Sequence, residues 1–556
     1  MAALRGADLL ARALAAAGVR NLFSLSGNHV MPVYDAALDA RLRIIHTRHE
    51  GAAVHMADAW ARLTGEPGIV LLTGGPGHAN GVGALYTALA ADSPVVMLSG
   101  HAPLAELGLG SFQEMRQADM AAPVAKASWT AKSAAALGED MASAIRVATS
   151  GRPGPVHVSL PFDLLEARLA DGAGALPPST AFRAQPVALA GDAADAVLAA
   201  LKRARRPLVL TGPQLANANG RELRERLAAA IAAPVLCMES PRGVNDPALG
   251  AFAEVLAQAD FILLLGKQPD FTLRFAQAPA VAPGCRFAVI DPDAEALARA
   301  QRTLGDPQRV ALAVAADTIA AAQTLARRAA GAGPKHGEWA REVDAAVRFR
   351  PEAWNKLAAG STGPAHPVAV GRAVQQLIDR SRDAVLVSDG GEFGQWAQAC
   401  VHAPSRVING QGGSIGSALP FALAARMARP DATVVAMSGD GAFGFHLAEF
   451  DTAVRENLDF VAVVGNDACW NAEHQIQLRN YGPGRAHGCE LLPTRYDQVA
   501  AGLGAHGEFV PHAADLTAAL ERARTSGRPA CVNVLTERVA APIVARGSAA
   551  AAAPAH

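Results

Sequence analysis

Val434-Val435-Ala436-Met437-Ser438-Gly439-Asp440-Gly441 and, one helix further on, Val463-Val464-Gly465-Asn466-Asp467 are the two stretches that decide how this chain folds. Each is a short apolar run that stops at a tight polar turn. In a parallel sheet such runs are buried strands, and α/β proteins bind ligands at their carboxyl ends. Between them Leu447, Phe450 and Val454 recur at helical spacing, so the unit reads strand–turn–helix–strand. Two oxygen-bearing side chains at neighbouring strand ends, beside a glycine turn whose amides can approach an anion, suit a hard cation carrying a diphosphate.

Outward from this unit, strand-like and helical runs alternate along the whole chain, which predicts α/β layers with doubly wound parallel sheets. A first unit (1–165) shows strands at 43–46, 69–73, 95–99 and 156–159, with a turn after Leu22–Leu25. The Ala, Gly, Pro and Ser-rich stretch Glu166–Pro186 reads as a linker. A central unit (186–328) has strands at 208–211, 261–266 and 287–290, and a further Ala/Gly stretch at 329–335 follows it. The third unit (350–540) has strands at 384–388, 433–438, 460–464 and 530–534. Residues 541–556 read as a flexible tail.

Hydrophobic residues make up 51% of the 556, enough for several large cores. Charged residues are only 18% and the formal net charge is −1, which argues against nucleic acid or an anionic membrane as partner. The six cysteines show no CxxC spacing and several sit in apolar strands, the usage of reduced, buried thiols. No apolar run approaches the ~20 residues needed to span a bilayer, and Arg5, Asp8 and Arg12 interrupt the N-terminal helix where a signal peptide would be apolar. A cytoplasmic location is the expectation.

The Gly439-Asp440-Gly441 opening resembles the Mg-diphosphate signature of thiamine-diphosphate (ThDP) enzymes, and three α/β units in this order resemble their decarboxylase and carboligase group. At the close, Asn466 matches the family's first Asn, but Asp467 stands where the family has a second Asn. The resemblance implies pyrimidine-binding, central and pyrophosphate-binding domains in that order. It also implies that Asp440, Asp467 and the Cys469 carbonyl hold Mg2+. Gly439, Gly441, Ala442, Trp470 and Asn471 would flank the diphosphate.

Further segments carry the same likeness. Arg48-His49-Glu50 resembles the segment of acetolactate synthases and benzaldehyde lyase that places an acid against the aminopyrimidine ring, which makes Glu50 both cofactor-binding and catalytic. Taken alone, Glu50 is a helix-start glutamate. Thr73-Gly74-Gly75-Pro76-Gly77 matches the family's Gly-Pro-Gly turn, where Thr73 and Gly75 approach the pyrimidine edge. Phe112-Gln113-Glu114 resembles an active-site segment in which Gln113 meets substrate, and Asn28-His29 faces the same cleft. Gly390-Gly391-Glu392-Phe393 resembles the second diphosphate turn. Gly413 and Ile415 match a segment that binds the ring amine and wedges the cofactor into a bent shape; alone, Ile415 is a core residue. His474 and Gln477 are further candidates for substrate contact.

These likenesses imply a ThDP- and Mg-dependent carbon–carbon lyase or carboligase acting on 2-keto acids or 2-hydroxy carbonyl compounds. The assembly implied is a homodimer at minimum, with a homotetramer expected. A 2-hydroxyacyl-CoA lyase or oxalyl-CoA decarboxylase-like enzyme is the alternative, with Lys267, Arg274 and Arg286 as candidates for nucleotide phosphates against the plainer reading of a solvated basic rim. FAD in the central unit stays open without a fingerprint. From other classes, a flavin or NAD oxidoreductase rests only on Gly75–Gly81, spaced one residue too wide for GxGxxG. An inactive ThDP-fold binding protein would have to explain why Glu50 and Asp440 are both present.

Overall fold

The computed structural model describes residues 4–170, 174–329, 336–357 and 363–546. Residues 330–335 of the expected Ala/Gly stretch and residues 547–556 of the expected tail lie outside the described residues. Three sheets run along the chain, and every strand pair within them is parallel.

The first sheet has order β2-β1-β3-β4-β6-β5, with β1 Asn21–Leu25, β2 Arg43–His46, β3 Gly68–Leu72, β4 Val95–His101, β5 Ala127–Thr130 and β6 Val156–Pro161. The central sheet, order β11-β10-β9-β7-β8, uses β7 Pro207–Thr211, β8 Val235–Cys237, β9 Phe261–Leu265, β10 Arg286–Ile290 and β11 Val310–Val314. The third repeats the order of the first as β13-β12-β14-β15-β17-β16. Its strands are β12 Ala384–Ser388, β13 Ser405–Ile408, β14 Thr433–Gly439, β15 Val461–Asn466, β16 His506–Val510 and β17 Ala530–Leu535. The chain thus forms three doubly wound α/β domains, as the alternation predicts.

Because side chains alternate across a strand, each central strand must be apolar on both faces. In β3 and β4, Ile69, Leu71, Val96 and Leu98 enter one core with helices Gly6–Ala16 and Leu137–Thr149. On the opposite face Leu72 and Met97 pack around Gly81 of helix Pro76–Ala90. The Glu166–Pro186 stretch is more than a tether. Phe182 is buried in that first core, and Arg146 Nη1 donates to the Ala181 carbonyl at 2.6 Å.

Two compact units result. The first comprises Met1–Gln185 together with Leu419–Pro430 and His446–Leu458. The second comprises Pro186–Ala418, Asp431–Phe445 and Asp459–His556. In both six-stranded sheets the order reverses beside the first strand, and doubly wound sheets bind ligands at such a switch point. All six cysteines are free thiols, and no helix among the described residues is long and apolar enough to cross a membrane.

Candidate active site

In the first unit the site residues come off consecutive strand ends. After β1 a short turn, Asn28–Val30, leaves Asn28 exposed and His29 buried. His29 Nδ1 lies 3.4 Å from Thr73 Oγ1, just beyond β3, and its ring stacks on Phe112. Burial, followed by the nearby His101, pushes the His29 pKa down, which favours a neutral imidazole. After β2, His49 caps helix Glu50–Thr64 by accepting the Gly51 N–H at 2.9 Å. Glu50 is its first residue, 8% exposed, and Oε2 accepts from Asn80 Nδ2 at 3.1 Å.

The glycine turn after β3 is built for close approach. Gly75 has φ +58°, and a Cβ there would stand 2.6 Å from the Gln113 carbonyl oxygen. A Cβ on Gly77 would lie 2.7 Å from Thr73 Cγ2 and 3.4 Å from Glu50 Oε1. Glu50, Thr73, Gly75, His29 and Gln113 are therefore neighbours, with Asn28 on the adjoining turn. Gln113 takes the left-handed conformation, φ +57°, which is uncommon outside glycine and clusters at functional sites. Its loop is folded by Glu114, whose carboxylate accepts the N–H groups of Gly108, Gly110 and Ser111.

In the second unit one cavity of about 200 Å³ collects the predicted cofactor and metal residues at the β12/β14 switch point. Gly391, Glu392 and Phe393 come from the turn after β12, and Gly413 and Ile415 from the loop beyond β13. Gly439, Asp440, Gly441 and Ala442 follow β14, while Asp467, Cys469, Trp470 and Asn471 follow β15. Asp440 Oδ1 accepts the Gly441 N–H at 3.0 Å. Its Oδ2 is buried and accepts no hydrogen bond among the described residues, which leaves it available to a cation.

Burial pushes the Asp440 pKa up to about 6. Burial and then the Asp440 charge push Asp467 up to about 7. Two crowded carboxylates with a backbone carbonyl make an all-oxygen donor set suited to a hard divalent ion, so these residues fit Mg2+. The glycine turns beside them leave room for a diphosphate against backbone amides.

Supporting residues went unassigned in the sequence reading. Asp389 is fully buried, and its carboxylate accepts the N–H groups of Gly390, Gly416 and Ala418. It ties the turn after β12 to the Ile415 loop. Gln117 does the same for the first glycine turn, accepting Gly75 N–H at 2.8 Å while donating to Gly100 O and Ser159 Oγ. Arg538 donates to the carbonyls of Asp467 and Ala468 at 2.7 and 2.8 Å and pairs with Glu490. Asn466, the first Asn of the motif, holds the loop by accepting Ala468 N–H and donating to Thr494 O. A buried polar residue next to a glycine turn is the one local signal that could have flagged Asp389.

Other candidates are placed elsewhere. Gln477 exchanges two hydrogen bonds with the His487 backbone, which occupies the amide proposed for substrate, and His474 does not line the cavity. Lys267 is 2% exposed and bound to Asp270, so it is not a solvated basic rim and has no free charge for a phosphate.

The chain resembles known proteins over most of its length. Residues 4–120 match the thiamine pyrophosphate enzyme N-terminal TPP binding domain, 194–325 the central domain and 389–534 the C-terminal TPP binding domain. Over 540 residues the chain is 36% identical to the acetolactate synthase large subunit of Mycobacterium tuberculosis, covering 95% of each protein. It is 30% identical to human 2-hydroxyacyl-CoA lyase 2 over 583 residues, covering 96% of this chain and 90% of that protein. With the catabolic acetolactate synthase of Raoultella terrigena identity is 29% over 547 residues, covering 95% and 94%.

Proposed function

The chain belongs to the thiamine pyrophosphate enzyme family, and on that premise we propose that it is a ThDP- and Mg-dependent carbon–carbon lyase or carboligase acting on 2-keto acids or 2-hydroxy carbonyl compounds. The observation that carries this reading is the second-unit cavity, where Asp440 with its unpartnered Oδ2 and Asp467 stand among glycine turns. Asp440, Asp467 and the Cys469 carbonyl hold the ion, and the turns at 390–393 and 439–442 hold the diphosphate. Thr73, Gly75 and Glu50 would receive the pyrimidine ring, while Gly413 would meet its amine and Ile415 would hold the cofactor in a bent form. When bound, ThDP supplies an electron sink for the bond made or broken.

The protein's own part is orientation and proton handling. Glu50 has one carboxyl oxygen fixed by Asn80 and the other beside Gly77, so it can hold or release a proton at a defined place. Gln113, with an amide that both donates and accepts, and His29 and Asn28 orient the substrate carbonyl. The chain acts as a homodimer at minimum, with a tetramer expected, and we place it in the cytoplasm.

A 2-hydroxyacyl-CoA substrate is the second reading. It is favoured by the likeness to the human lyase but loses the support of Lys267. Calorimetry with ThDP, with and without Mg2+, tests the assignment: binding only with the ion is expected, and Glu50→Gln should bind but not turn over. Full turnover by that variant would refute the proton role. A mass-spectrometric screen of 2-keto acids, 2-hydroxy ketones and 2-hydroxyacyl-CoA esters then separates the substrate classes.

A further inference from the structure

A second cavity of about 210 Å³ adjoins the first in the same unit, and the two meet at Glu392, which lines both. Its walls are Arg242, Asn245, Gln395, Gln475 and Arg479, under a roof formed by 540–543. That roof is held in place deliberately. Trp396 Nε1 donates to the Ala540 carbonyl at 2.9 Å and Asn471 Nδ2 to the Val539 carbonyl at 3.0 Å, while Arg546 binds Glu254 through its backbone N–H and its side chain.

The polar groups inside are under-used. Arg242 spends one N–H on Glu392 at 3.2 Å, of the five a guanidinium carries. Arg479 makes no ion pair among the described residues. Gln395 is 2% exposed, yet its Oε1 has no partner among the described residues, and a buried acceptor left unmade is costly. Two guanidinium groups face one carboxylate, so the lining carries net positive charge. Its size falls below the ~300–1,000 Å³ usual for a pocket that takes a whole ligand, which suits a single functional group.

We propose that this cavity is a subsite for the anionic end of the substrate, taking a carboxylate or phosphate group between Arg242 and Arg479. The assignment rests on the neighbouring cavity holding the cofactor's diphosphate. Glu392 keeps Arg242 oriented along the cavity wall. Among candidate substrates it favours those bearing a second charge remote from the reacting carbonyl.

The test uses the full chain loaded with ThDP and Mg2+, titrated calorimetrically with glutarate and with inorganic phosphate. Saturable binding of at least one probe is expected, weakened about tenfold by Arg479→Gln, with a smaller loss for Arg242→Lys, which keeps charge but not the planar fork. Binding of glutarate alone supports a dicarboxylic substrate, and of phosphate alone a phosphorylated one. Absence of saturable heat for both probes, or equal binding by Arg479→Gln, overturns the subsite. Failure of the wild type to take up ThDP with Mg2+ is seen in the loading step itself, and refutes the cofactor reading instead.

Discussion

The carboxylate of Glu449 accepts the backbone N–H of His49 at 3.0 Å, across 400 residues of sequence, and that of Arg48 at 3.0 and 3.2 Å. Both residues lie in the first unit. The peptide so held is the one that caps and launches the helix whose first residue is Glu50. Glu449 is therefore a positioning residue for the proposed acid, itself steadied by Thr452 Oγ1 at 2.6 Å.

Replacing Glu449 with Ala leaves two backbone donors unsatisfied, at a cost of about 1–3 kcal/mol. A lower thermal midpoint is expected. Cofactor proton exchange should slow more than ThDP affinity falls, because the displaced group is the acid rather than the diphosphate anchor. NMR of that exchange and calorimetry separate the two effects, and an unchanged exchange rate would remove Glu449 from this role.

Burial pushes the Glu449 pKa from 4.5 up to about 6. The folded protein thus holds this proton more tightly than the unfolded chain, so its contribution to stability is present below about pH 4.5. It is lost as pH rises through about 6, by roughly 2 kcal/mol. Glu449→Gln, which cannot ionise, should flatten the difference in denaturation midpoint between pH 4.5 and 7 relative to wild type. Parallel curves for the two proteins would contradict this.

Asp467 supplies a carboxylate oxygen where an amide would supply a neutral one. Asp467→Asn should raise the Mg2+ concentration needed for half-maximal ThDP binding by about tenfold, the equivalent of 1.4 kcal/mol. Fluorescence of Trp470, which lines the same cavity, is the natural readout. An unmoved titration would take Asp467 out of the ligand set.

Arg538 holds the carbonyls of Asp467 and Ala468, and so fixes the loop from which the Cys469 carbonyl is proposed to reach the ion. Arg538→Ala should weaken Mg2+-dependent ThDP binding by about tenfold. Arg538→Lys should restore little of it, since a point charge cannot span two carbonyls and Glu490 together. Full rescue by lysine would mean that charge alone matters.

The central strands were legible because they are apolar on both faces. Thr433–Ser438 and Phe261–Gly266 read as β14 and β9 within a residue, and the glycine turns that close them are local signals. The strands that went unread are β5, β8, β11, β13 and β16, all sheet edges. Their side chains are largely half-exposed in β5, β8, β11 and β16, so no continuous apolar run marks them.

The sequence alone determined the α/β class, the succession of three units and the turns at Glu50, Thr73–Gly77, Gly390–Phe393 and Gly439–Asp467, because each depends on residues adjacent in the chain. Only the tertiary structure decided that Glu449 holds the His49 peptide, that Asp389 and Gln117 tie turns together, that Arg538 clamps the loop after β15, and that Lys267 is spent on Asp270. Hydrogen bonding to a buried group is settled by whatever packing brings within 3 Å, and partners so recruited leave no periodicity in the order of residues.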